Sequence, residues 1–265
     1  MNNHYAYVTA LTSLSYIPGV IGLKKSLIKV KSKYSLIVLI PEGNFESFMK
    51  IINMNKIADK YCKFISKPDL HIRNEKSHYW DLTFFKLRAT TLIEYDKIIL
   101  IDSDMLVNKN IDHLFECDSY SAVVAGKATH EEYKNLNSGL IVLKPSIELF
   151  NGLLECVNSS IKKRANQNLF AGDQDVFIEY KSGWVNDYGL HLSEKYNCFY
   201  NDIYRVAKKL NIKAKNIDVI HFIGKEKPWM KKDCFRYYLW LIRKGRLTQY
   251  RLFSKYKRLC KCKYE

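Results

Sequence analysis

The sequence predicts an α/β fold in which helices cover both faces of a Rossmann-like, mixed and mostly parallel sheet. Strand-type and helix-type segments alternate through the first half of the chain, an order typical of such sheets. The strand segments are continuous apolar runs, as expected for strands buried on both faces. With 265 residues, of which 47% are hydrophobic, the chain is long enough to bury a large core. Ligands in this fold class bind at the carboxyl ends of strands, so polar motifs that follow strands are the candidates for function.

The pattern of side chains justifies each predicted element. Strands are assigned to short runs of β-branched and aliphatic residues: Tyr5–Leu11, Tyr34–Ile40, Lys97–Ile101, Ser121–Ala125, Gly139–Leu143 and Val219–Phe222. Helices are assigned where apolar residues recur at helical spacing: Gly19–Val30, Asn44–Met54, Trp80–Glu94, Ser146–Ile161 and Gly172–Tyr180. Pro41 ends the second strand because it cannot donate a ladder hydrogen bond. Lys181–Asp218 has no clear pattern, and the chain from Asp233 is predicted to be helical and rich in aromatic residues.

Positive charge is concentrated near the C-terminal end. The chain has a net charge of +16, and residues 225–265 hold fourteen Lys or Arg against three Asp or Glu. That segment carries +11, which leaves +5 for residues 1–224. We therefore predict a domain at 1–232 and a basic, aromatic segment at 233–265. Such a segment suits contact with an anionic membrane surface, or it is a solvated helix whose aromatic side chains pack on the domain.

Cysteine usage and the N-terminal residues bear on the compartment. Seven cysteines, an odd number without regular spacing, indicate free thiols in a reducing environment. The first residues, Met1-Asn-Asn-His-Tyr5, show no charged segment followed by an apolar one, so we expect no signal peptide. We predict a cytoplasmic protein, with peripheral attachment to a membrane surface as a further expectation.

The sharpest motif is Asp102-Ser-Asp104, which directly follows the apolar strand Lys97–Ile101. Two carboxylates at the end of a buried strand are unfavourable unless a cation lies between them. A hard divalent ion with oxygen ligands satisfies both, and it neutralises a nucleoside diphosphate as a leaving group. The alternative is a plain turn, because Asp and Ser are common turn formers.

A second motif, His221-Phe-Ile-Gly224-Lys-Glu-Lys227, lies at the end of the last predicted strand. The imidazole of His221 is suited to completing a metal shell. Gly224 allows the backbone to approach a phosphate, and Lys227 offers a point charge to a diphosphate. Taken alone, these two side chains are also compatible with a structural histidine and a solvated lysine.

Three further polar segments lie beside predicted strands and helices. Asn137 and Ser138 precede the strand at Gly139–Leu143, and Asp173 and Gln174 open a predicted helix. These side chains are suited to binding sugar hydroxyls. The loop after the first strand holds hydroxyls and an aromatic ring that suit a nucleoside, in Ala10, Thr12, Ser13 and Tyr16. Each segment is also compatible with an ordinary turn or cap.

In this order the motifs resemble glycosyltransferase family 8, which includes glycogenin, galactinol synthases and bacterial lipopolysaccharide galactosyl- and glucosyltransferases. The resemblance runs from Tyr5 to Trp229 and includes a basic residue, Lys86, in a helix before the Asp-x-Asp motif. It continues with Asn-Ser-Gly, Gly-Asp-Gln and His-Phe-x-Gly-x-x-Lys-Pro-Trp. The resemblance implies the GT-A fold.

The resemblance also implies roles for individual residues. Asp102, Asp104 and His221 would be the Mn²⁺ ligands, and Ser103 would lie beside the ribose or the donor sugar. Ala10, Thr12, Ser13 and Tyr16 would form the uridine pocket, and Lys86 would contact the donor. Asn137, Ser138, Asp173 and Gln174 would form the donor-sugar and catalytic set, with Asp173 and Gln174 as its catalytic members. Gly224 and Lys227 would clamp the diphosphate.

The implied activity is a Mn²⁺-dependent, retaining transfer of a hexose from UDP-glucose or UDP-galactose. The acceptor would be a glycan, a glycolipid or a protein. A second hypothesis is a glycogenin-like protein that glucosylates itself, for which Tyr196, Tyr200 and Tyr204 are candidates and Tyr204 has the best spacing. A UDP-sugar-binding protein without turnover and a basic nucleic-acid-binding protein are two further hypotheses. We expect no nucleic-acid partner, because no such motif is present and the main domain is nearly neutral.

Overall fold

The computed structural model describes residues 4–72, 81–126, 132–230 and 234–261. The strands are β1 (Tyr5–Ala10), β2 (Leu36–Pro41), β3 (Cys62–Lys67), β4 (Lys97–Ile101), β5 (Met105–Val107), β6 (Ala122–Val124), β7 (Leu136–Leu143), β8 (His191–Leu192), β9 (Cys198–Phe199) and β10 (Val219–His221). The α-helices whose bounds lie within these residues are α1 (Ile17–Lys29), α2 (Phe45–Met54), α3 (Ile147–Asn166), α4 (Asp173–Tyr180), α5 (Ile203–Lys209), α6 (Phe235–Arg243) and α7 (Leu247–Leu259). A ten-residue 3₁₀ helix spans Leu82–Thr91.

Within the described residues, seven strands form one large sheet in the order β3-β2-β1-β4-β7-β6-β8. The first four strands of that order are parallel. Strand β7 is antiparallel to both of its neighbours, and β8 is parallel to β6. The predicted mixed, mostly parallel sheet with flanking helices is therefore confirmed. Because β2 and β4 lie on opposite sides of β1, the strand order reverses beside β1 and leaves a crevice at the carboxyl ends of β1 and β4.

Both faces of the large sheet are buried, which explains the continuous apolar runs in its strands. Along β4, Ile98 and Leu100 point into one core, whereas Ile99 and Ile101 point into the other. All four side chains are fully buried. Alternate residues therefore serve opposite layers, as the pleat of a strand requires.

A second, three-stranded sheet has the order β5-β10-β9. The residues between β4 and β5 are Asp102, Ser103 and Asp104, so this turn carries the chain from the large sheet into the small one. Strand β10 pairs with β5 so that His221 lies opposite Met105. The histidine, although more than a hundred residues away in sequence, is thereby fixed next to the turn.

The segment that carries Lys86 is a 3₁₀ helix, so the α-helix predicted at Trp80–Glu94 was wrong in type over Leu82–Thr91 and in its C-terminal end; Trp80 itself lies outside the described residues. Phe84, Leu87 and Thr90 are spaced by three and are fully buried, which matches the 3₁₀ repeat.

The threonines at the end of this segment hydrogen-bond to the backbone of the preceding turn. The hydroxyls of Thr90 and Thr91 donate to the carbonyls of Leu87 and Arg88, each three residues earlier. Such local bonds compete with the α-helical ladder.

The C-terminal helices pack on the small sheet through a third core, which includes Leu106 of β5, Ile220 of β10 and Phe253 of α7. Of the aromatic and aliphatic residues noted in the basic segment, Leu241 and Phe253 are buried, whereas Phe235 and Ile242 are 67% and 48% exposed. No helix in the described ranges is long and apolar enough to cross a membrane. The boundary at 232/233 lies outside the described residues, and the two-part division remains a prediction.

Candidate functional site

A cleft of about 690 Å³ opens at the carboxyl ends of β1 and β4. The residues predicted for the site that line it are Ala10, Thr12, Ser13, Tyr16, Lys86, Asp102, Ser103, Asp104, Asn137, Ser138, Asp173, Gln174, His221 and Lys227. Gly224 is exposed on the loop after β10 and is not among the described residues that line the cleft. Its φ of +95° is a backbone conformation that suits glycine.

Backbone hydrogen bonds from three directions hold the Asp102-Ser103-Asp104 turn. The amide of Asp102 donates to the carbonyl of Gly139 in β7 at 2.8 Å. The carbonyl of Asp102 accepts from Met105 at 3.3 Å, and the carbonyl of Asp104 accepts from Phe222 at 3.1 Å. The large sheet, the turn itself and the chain after β10 thus fix both carboxylates in place.

Asp102, Asp104 and His221 form a candidate metal centre. They offer one ligand atom each, and the three atoms lie within 4.8 Å of one another. The Nε2 atom of His221 is 3.6 Å from Asp102 Oδ2 and 3.3 Å from Asp104 Oδ1. The other oxygen of each carboxylate contacts a lysine, so the two oxygens that face His221 are the ones directed toward a shared ion.

A chain of hydrogen bonds fixes the orientation of the His221 ring. The amide of Gly139 donates to Asn137 Oδ1 at 2.9 Å, so this atom is an acceptor. Asn197 Nδ2 donates to the same oxygen at 2.7 Å, which turns Asn197 Oδ1 toward His221 Nδ1 at 3.0 Å. The hydrogen on Nδ1 is then held by Asn197, and Nε2 is the ring atom presented to the carboxylates.

On one flank of the turn, Lys86 bridges two carboxylates. Its Nζ is 2.7 Å from Asp102 Oδ1 and 2.8 Å from Asp173 Oδ2. Burial alone would lower the pKa of Lys86, but the two carboxylates raise it above its usual value. Burial raises the pKa of Asp102, and Lys86 offsets this effect in part. This flank therefore holds two carboxylates and one ammonium group.

On the other flank, Lys227 pairs with Asp104. Its Nζ lies 2.5 Å from Asp104 Oδ2, donates to the Phe222 carbonyl at 2.9 Å, and lies 5.8 Å from the centre of the Tyr16 ring. Burial by itself would raise the pKa of Asp104, but His221 and Lys227 together hold it well below its usual range. Lys227 is 3% exposed and so is a nearly buried cation at the wall of the cleft.

The start of α4 supplies the far wall. Gly172 precedes the helix, and its amide donates to Asp175 Oδ2 at 2.9 Å, so the Asp175 carboxylate caps the start of the helix. The amide of Asp173 donates to the Thr83 hydroxyl at 3.2 Å. Gln174 Oε1 accepts from the Ser138 amide at 3.3 Å. The helix start, the 3₁₀ helix and the Asn-Ser-Gly segment are thus joined around one wall.

Several residues that line the cleft were not predicted from the sequence, among them Leu82, Thr83, Arg164, Leu169 and Phe170. Thr83 was detectable in principle, because it lies one 3₁₀ turn before Lys86. The others lie in segments without a recognisable motif.

The tyrosines proposed for self-glucosylation do not line the cleft. The Tyr196 hydroxyl lies 2.8 Å from His113 Nε2. Tyr200 is 7% exposed and donates to a backbone carbonyl in α7. The Tyr204 hydroxyl accepts from the Thr248 amide at 3.2 Å.

Comparison with known sequences gives a consistent result. The profile of glycosyl transferase family 8 matches residues 8–233. Glycogenin-1 of Mus musculus is 31% identical over 238 residues, an alignment that covers 84% of this chain and 65% of glycogenin-1. UDP-glucuronate:xylan alpha-glucuronosyltransferase 2 of Arabidopsis thaliana is 29% identical, with coverage of 88% and 36%. The chain thus spans less than two thirds of the length of these relatives.

Solved structures show the same fold. The galactosyltransferase LgtC, crystallised with donor and acceptor sugar analogues, superposes with a TM-score of 0.58 at 16% identity, covering 96% of this chain and 95% of LgtC. The glycosyltransferase GlyE of Streptococcus pneumoniae gives a TM-score of 0.57 at 19% identity, covering 86% and 57%. The predicted GT-A fold is confirmed, and the extent of the profile match decides the family: the chain belongs to glycosyl transferase family 8.

Proposed function

We propose that the protein is a Mn²⁺-dependent, retaining hexosyltransferase that uses a UDP-sugar donor. The observation that carries the proposal is the convergence of Asp102, Asp104 and His221 with Lys227 and Asp173 around one cleft. Such a transfer needs ligands for a metal ion, a positively charged side chain for the diphosphate and a carboxylate for the sugar hydroxyls.

The donor set fits a manganese ion. Two carboxylate oxygens and one imidazole nitrogen lie within 4.8 Å of one another. Mg²⁺ and Ca²⁺ favour all-oxygen sites, whereas Zn²⁺ sites draw on thiolate or several imidazoles. A set of two carboxylates and one imidazole lies between these preferences and suits Mn²⁺. When bound, the ion supplies Lewis-acid stabilisation of negative charge on the diphosphate.

Lys227 would act on the departing UDP. In the transfer step the bond from sugar C1 to the diphosphate oxygen breaks, its electron pair leaves with UDP, and the sugar passes through an oxocarbenium-like state. The ammonium of Lys227 is already fixed at the cleft wall by Asp104 and the Phe222 carbonyl. A cation held where charge develops lowers the barrier without reorganisation.

Asp173 and Gln174 would hold the donor sugar. The Asp173 carboxylate is paired with Lys86 at 2.8 Å, which reduces its strength as a nucleophile and suits it to accepting hydrogen bonds from hydroxyls. Gln174 carries no ionisable group and offers an amide dipole to the reacting face. We therefore favour attack by the acceptor on the face that UDP leaves, with the acceptor proton passing to the departing phosphate.

The charges in the cleft favour a neutral hexose over a uronic acid. The cationic side chains that line it in the described part of the chain are Lys86, Arg164 and Lys227. Lys227 is assigned to the diphosphate, and the other two contact carboxylates of the protein: Arg164 Nε is 3.1 Å from Asp175, and Lys86 Nζ is 2.7 Å from Asp102 and 2.8 Å from Asp173. Donors with a neutral hexose, such as UDP-glucose and UDP-galactose, are therefore preferred over UDP-glucuronate.

Exposed apolar side chains on the cleft wall are the residues that we assign to acceptor binding. Leu82, Leu169 and Phe170 line it and are 46%, 49% and 39% exposed. Exposed apolar surface with a polar rim is typical of a binding groove. The apolar face of an acceptor sugar would pack there, so a glycan is the acceptor that these residues support.

UDP release tests the proposal. UDP-glucose, UDP-galactose, UDP-N-acetylglucosamine and UDP-glucuronate are incubated with the protein and Mn²⁺, with an EDTA control. We expect EDTA-sensitive hydrolysis of UDP-glucose or UDP-galactose. Absence of both hydrolysis and UDP binding would favour a non-catalytic role.

Self-glucosylation is the competing acceptor hypothesis. Tyr196, Tyr200 and Tyr204 have engaged hydroxyls away from the cleft, which favours a separate acceptor. Intact mass after incubation with UDP-glucose decides the matter, because self-glucosylation adds whole hexose units to the chain.

We also infer a peripheral contact between α6 and an anionic membrane. Phe235, Leu239 and Ile242 are spaced along one side of α6, and Arg236 and Arg243 are exposed beside them. Apolar and basic side chains on one face suit a lipid surface. Flotation with phosphatidylglycerol vesicles should be lost in a Phe235→Ser, Ile242→Ser double variant. Equal flotation of the variant and the wild type would contradict this inference.

The cytoplasmic location predicted from the cysteines remains a proposal.

A further inference from the structure

Tyr256 connects the C-terminal helix α7 to the candidate metal centre. It lies outside residues 8–233, the part of the chain that matches the family profile. Its side chain is fully buried, and its hydroxyl donates to the backbone carbonyl of Ser103 at 3.0 Å. Burial raises the pKa of the Tyr256 phenol well above its usual value, so the group remains a donor.

This hydrogen bond completes the fixation of the Asp102-Ser103-Asp104 turn. The carbonyl of Asp102 accepts from Met105, within the turn, and the carbonyl of Asp104 accepts from Phe222, after β10. The carbonyl between them is held by Tyr256. Ser103 is 7% exposed, so loss of the phenol would leave a nearly buried carbonyl without this donor, which is costly.

The ring of Tyr256 also supports the segment that carries His221. It stacks on Phe222, the next residue, with ring centres 4.6 Å apart and planes 6° apart. It meets Trp229 edge-on at 6.0 Å. The Tyr256 side chain therefore contacts Phe222, which directly follows His221, and Trp229, which lies two residues after Lys227.

Two glycines in α1 make this arrangement possible. A Cβ on Gly19 would lie 2.8 Å from the Ser103 carbonyl oxygen and from the Trp229 ring. A Cβ on Gly22 would lie 2.5 Å from Cys260 Sγ and 2.9 Å from the Tyr256 ring. Since real Cβ atoms do not approach so closely, α1 receives both the turn and α7 only because these positions lack side chains.

We propose that Tyr256 is a positioning residue, which holds the Asp102-Ser103-Asp104 turn in the geometry that binds a cation. The proposal rests on the metal site of the proposed function. Under this proposal, the C-terminal helix α7, which lies outside the family-matched residues, supports the metal site.

A matched pair of variants tests the proposal. Tyr256→Phe retains the ring and its stacking but removes the donor. Tyr200→Phe is the control, because Tyr200 is 7% exposed, stacks on Phe222 at 4.9 Å, and donates to the carbonyl of Gln249 at 3.1 Å. Both variants lose a buried phenol-to-carbonyl hydrogen bond in the same core, and only Tyr256 donates to the turn. Tyr200→Phe also removes the acceptor of the Tyr237 hydroxyl at 3.1 Å, so it is the more severe of the two changes outside the turn.

Two measurements are made on the full chain. Titration with MnCl₂, followed by the electron paramagnetic resonance signal of free Mn²⁺, should show about tenfold weaker binding for Tyr256→Phe, as for other groups that orient ligands. Tyr200→Phe should bind as the wild type does, although both variants lose thermal stability. Hydrogen exchange of metal-free protein should be faster in the peptide covering 102–107 in Tyr256→Phe alone.

Wild-type values for Tyr256→Phe in both measurements, or the same change in Tyr200→Phe, would overturn the proposal. If the wild type takes up no Mn²⁺, the metal in the proposed function fails, and hydrogen exchange still decides whether Tyr256 holds the turn.

Discussion

The two flanks of the Asp102-Ser103-Asp104 turn contain similar groups in different balance. The Asp102 flank holds two carboxylates and one lysine, and Asp102 is 27% exposed. The Asp104 flank holds one carboxylate and one lysine, and Asp104 is 10% exposed. His221 lies between the two flanks, with Nε2 3.3 Å from Asp104 and 3.6 Å from Asp102. Accordingly, the pKa of Asp102 is raised by burial, whereas that of Asp104 is lowered because His221 and Lys227 outweigh burial.

Under the proposed function, this difference matches the two ends of a UDP-sugar, of which one is anionic and the other is neutral. The Asp104 flank repels a diphosphate less, because its acid is neutralised by a nearly buried lysine. The Asp102 flank has a carboxylate in excess, which suits sugar hydroxyls as hydrogen-bond donors. The following variants either separate the two flanks or show that they act as one.

The largest effect is expected for Asp104→Asn. The substitution removes a candidate ligand and leaves Lys227 buried without its acid. Loss of a group that only orients a metal ligand typically lowers metal affinity or activity by about 10–100-fold. Loss of a ligand itself should have a larger effect, so Mn²⁺-dependent UDP release should fall by more than about 100-fold. Asp187→Asn, at an exposed residue outside the cleft, is the control. Full activity of Asp104→Asn in a folded protein would contradict the metal assignment.

Substitution of the two lysines should separate the flanks. Lys227→Met should weaken UDP binding and lower kcat by about 100-fold, since a preorganised charge on the leaving group is lost. Lys86→Met should raise KM for the donor sugar and lower UDP affinity less than Lys227→Met does, because Asp102 loses its lysine partner while Lys227 stays in place. Calorimetry with UDP and Mn²⁺, after melting curves have shown that both variants fold, makes the measurement. Equal loss of UDP affinity would show that the flanks are not distinct.

A smaller effect is expected at Asn197, which supports His221 from behind. Asn197→Leu keeps the volume but cannot hold the hydrogen on His221 Nδ1, so Mn²⁺ affinity should fall about tenfold. Asn197→Asp still accepts that hydrogen and should retain more affinity than the leucine variant. The reverse order in a manganese titration would contradict the hydrogen-bond chain.

The smallest effect is expected at the outer wall. Phe170→Ala removes an exposed ring that we assign to the acceptor, and a ring contact is worth roughly 0.5–1.5 kcal/mol. KM for a glycan acceptor found by a transfer screen should rise by about fivefold, with little change in KM for the donor. An effect on the donor alone would move Phe170 to the sugar-nucleotide side.

The sequence predicted the turn because its signal is local. An apolar strand followed by Asp102-Ser103-Asp104 indicates a strand end, and strand ends define the site in this fold class. The large sheet could be predicted for the same reason, since its strands are unbroken apolar runs. His221 was placed with the turn through the resemblance, and the pairing of β10 with β5 supplies the physical reason.

The supporting residues could not be predicted in this way. Asn197 and Tyr256 act through contacts with residues 24 and 153 positions away, and nothing in the adjoining sequence marks them. The winding of the segment around Lys86 was also missed. Hydrophobic spacing of three or four residues does not separate a 3₁₀ helix from an α-helix.

The contact between Tyr256 and the glycine face of α1 has a practical consequence for protein engineering. A chain shortened after residue 232 would look attractive, because it removes a basic, aromatic segment and keeps nearly all of the profile match. Such a chain would lose the donor to Ser103 and expose the surface at Gly22 that α7 covers. Point substitutions of exposed residues on α6 reduce the charge and the exposed apolar surface of this segment, and they leave the contacts between α7 and the Asp102-Ser103-Asp104 turn intact.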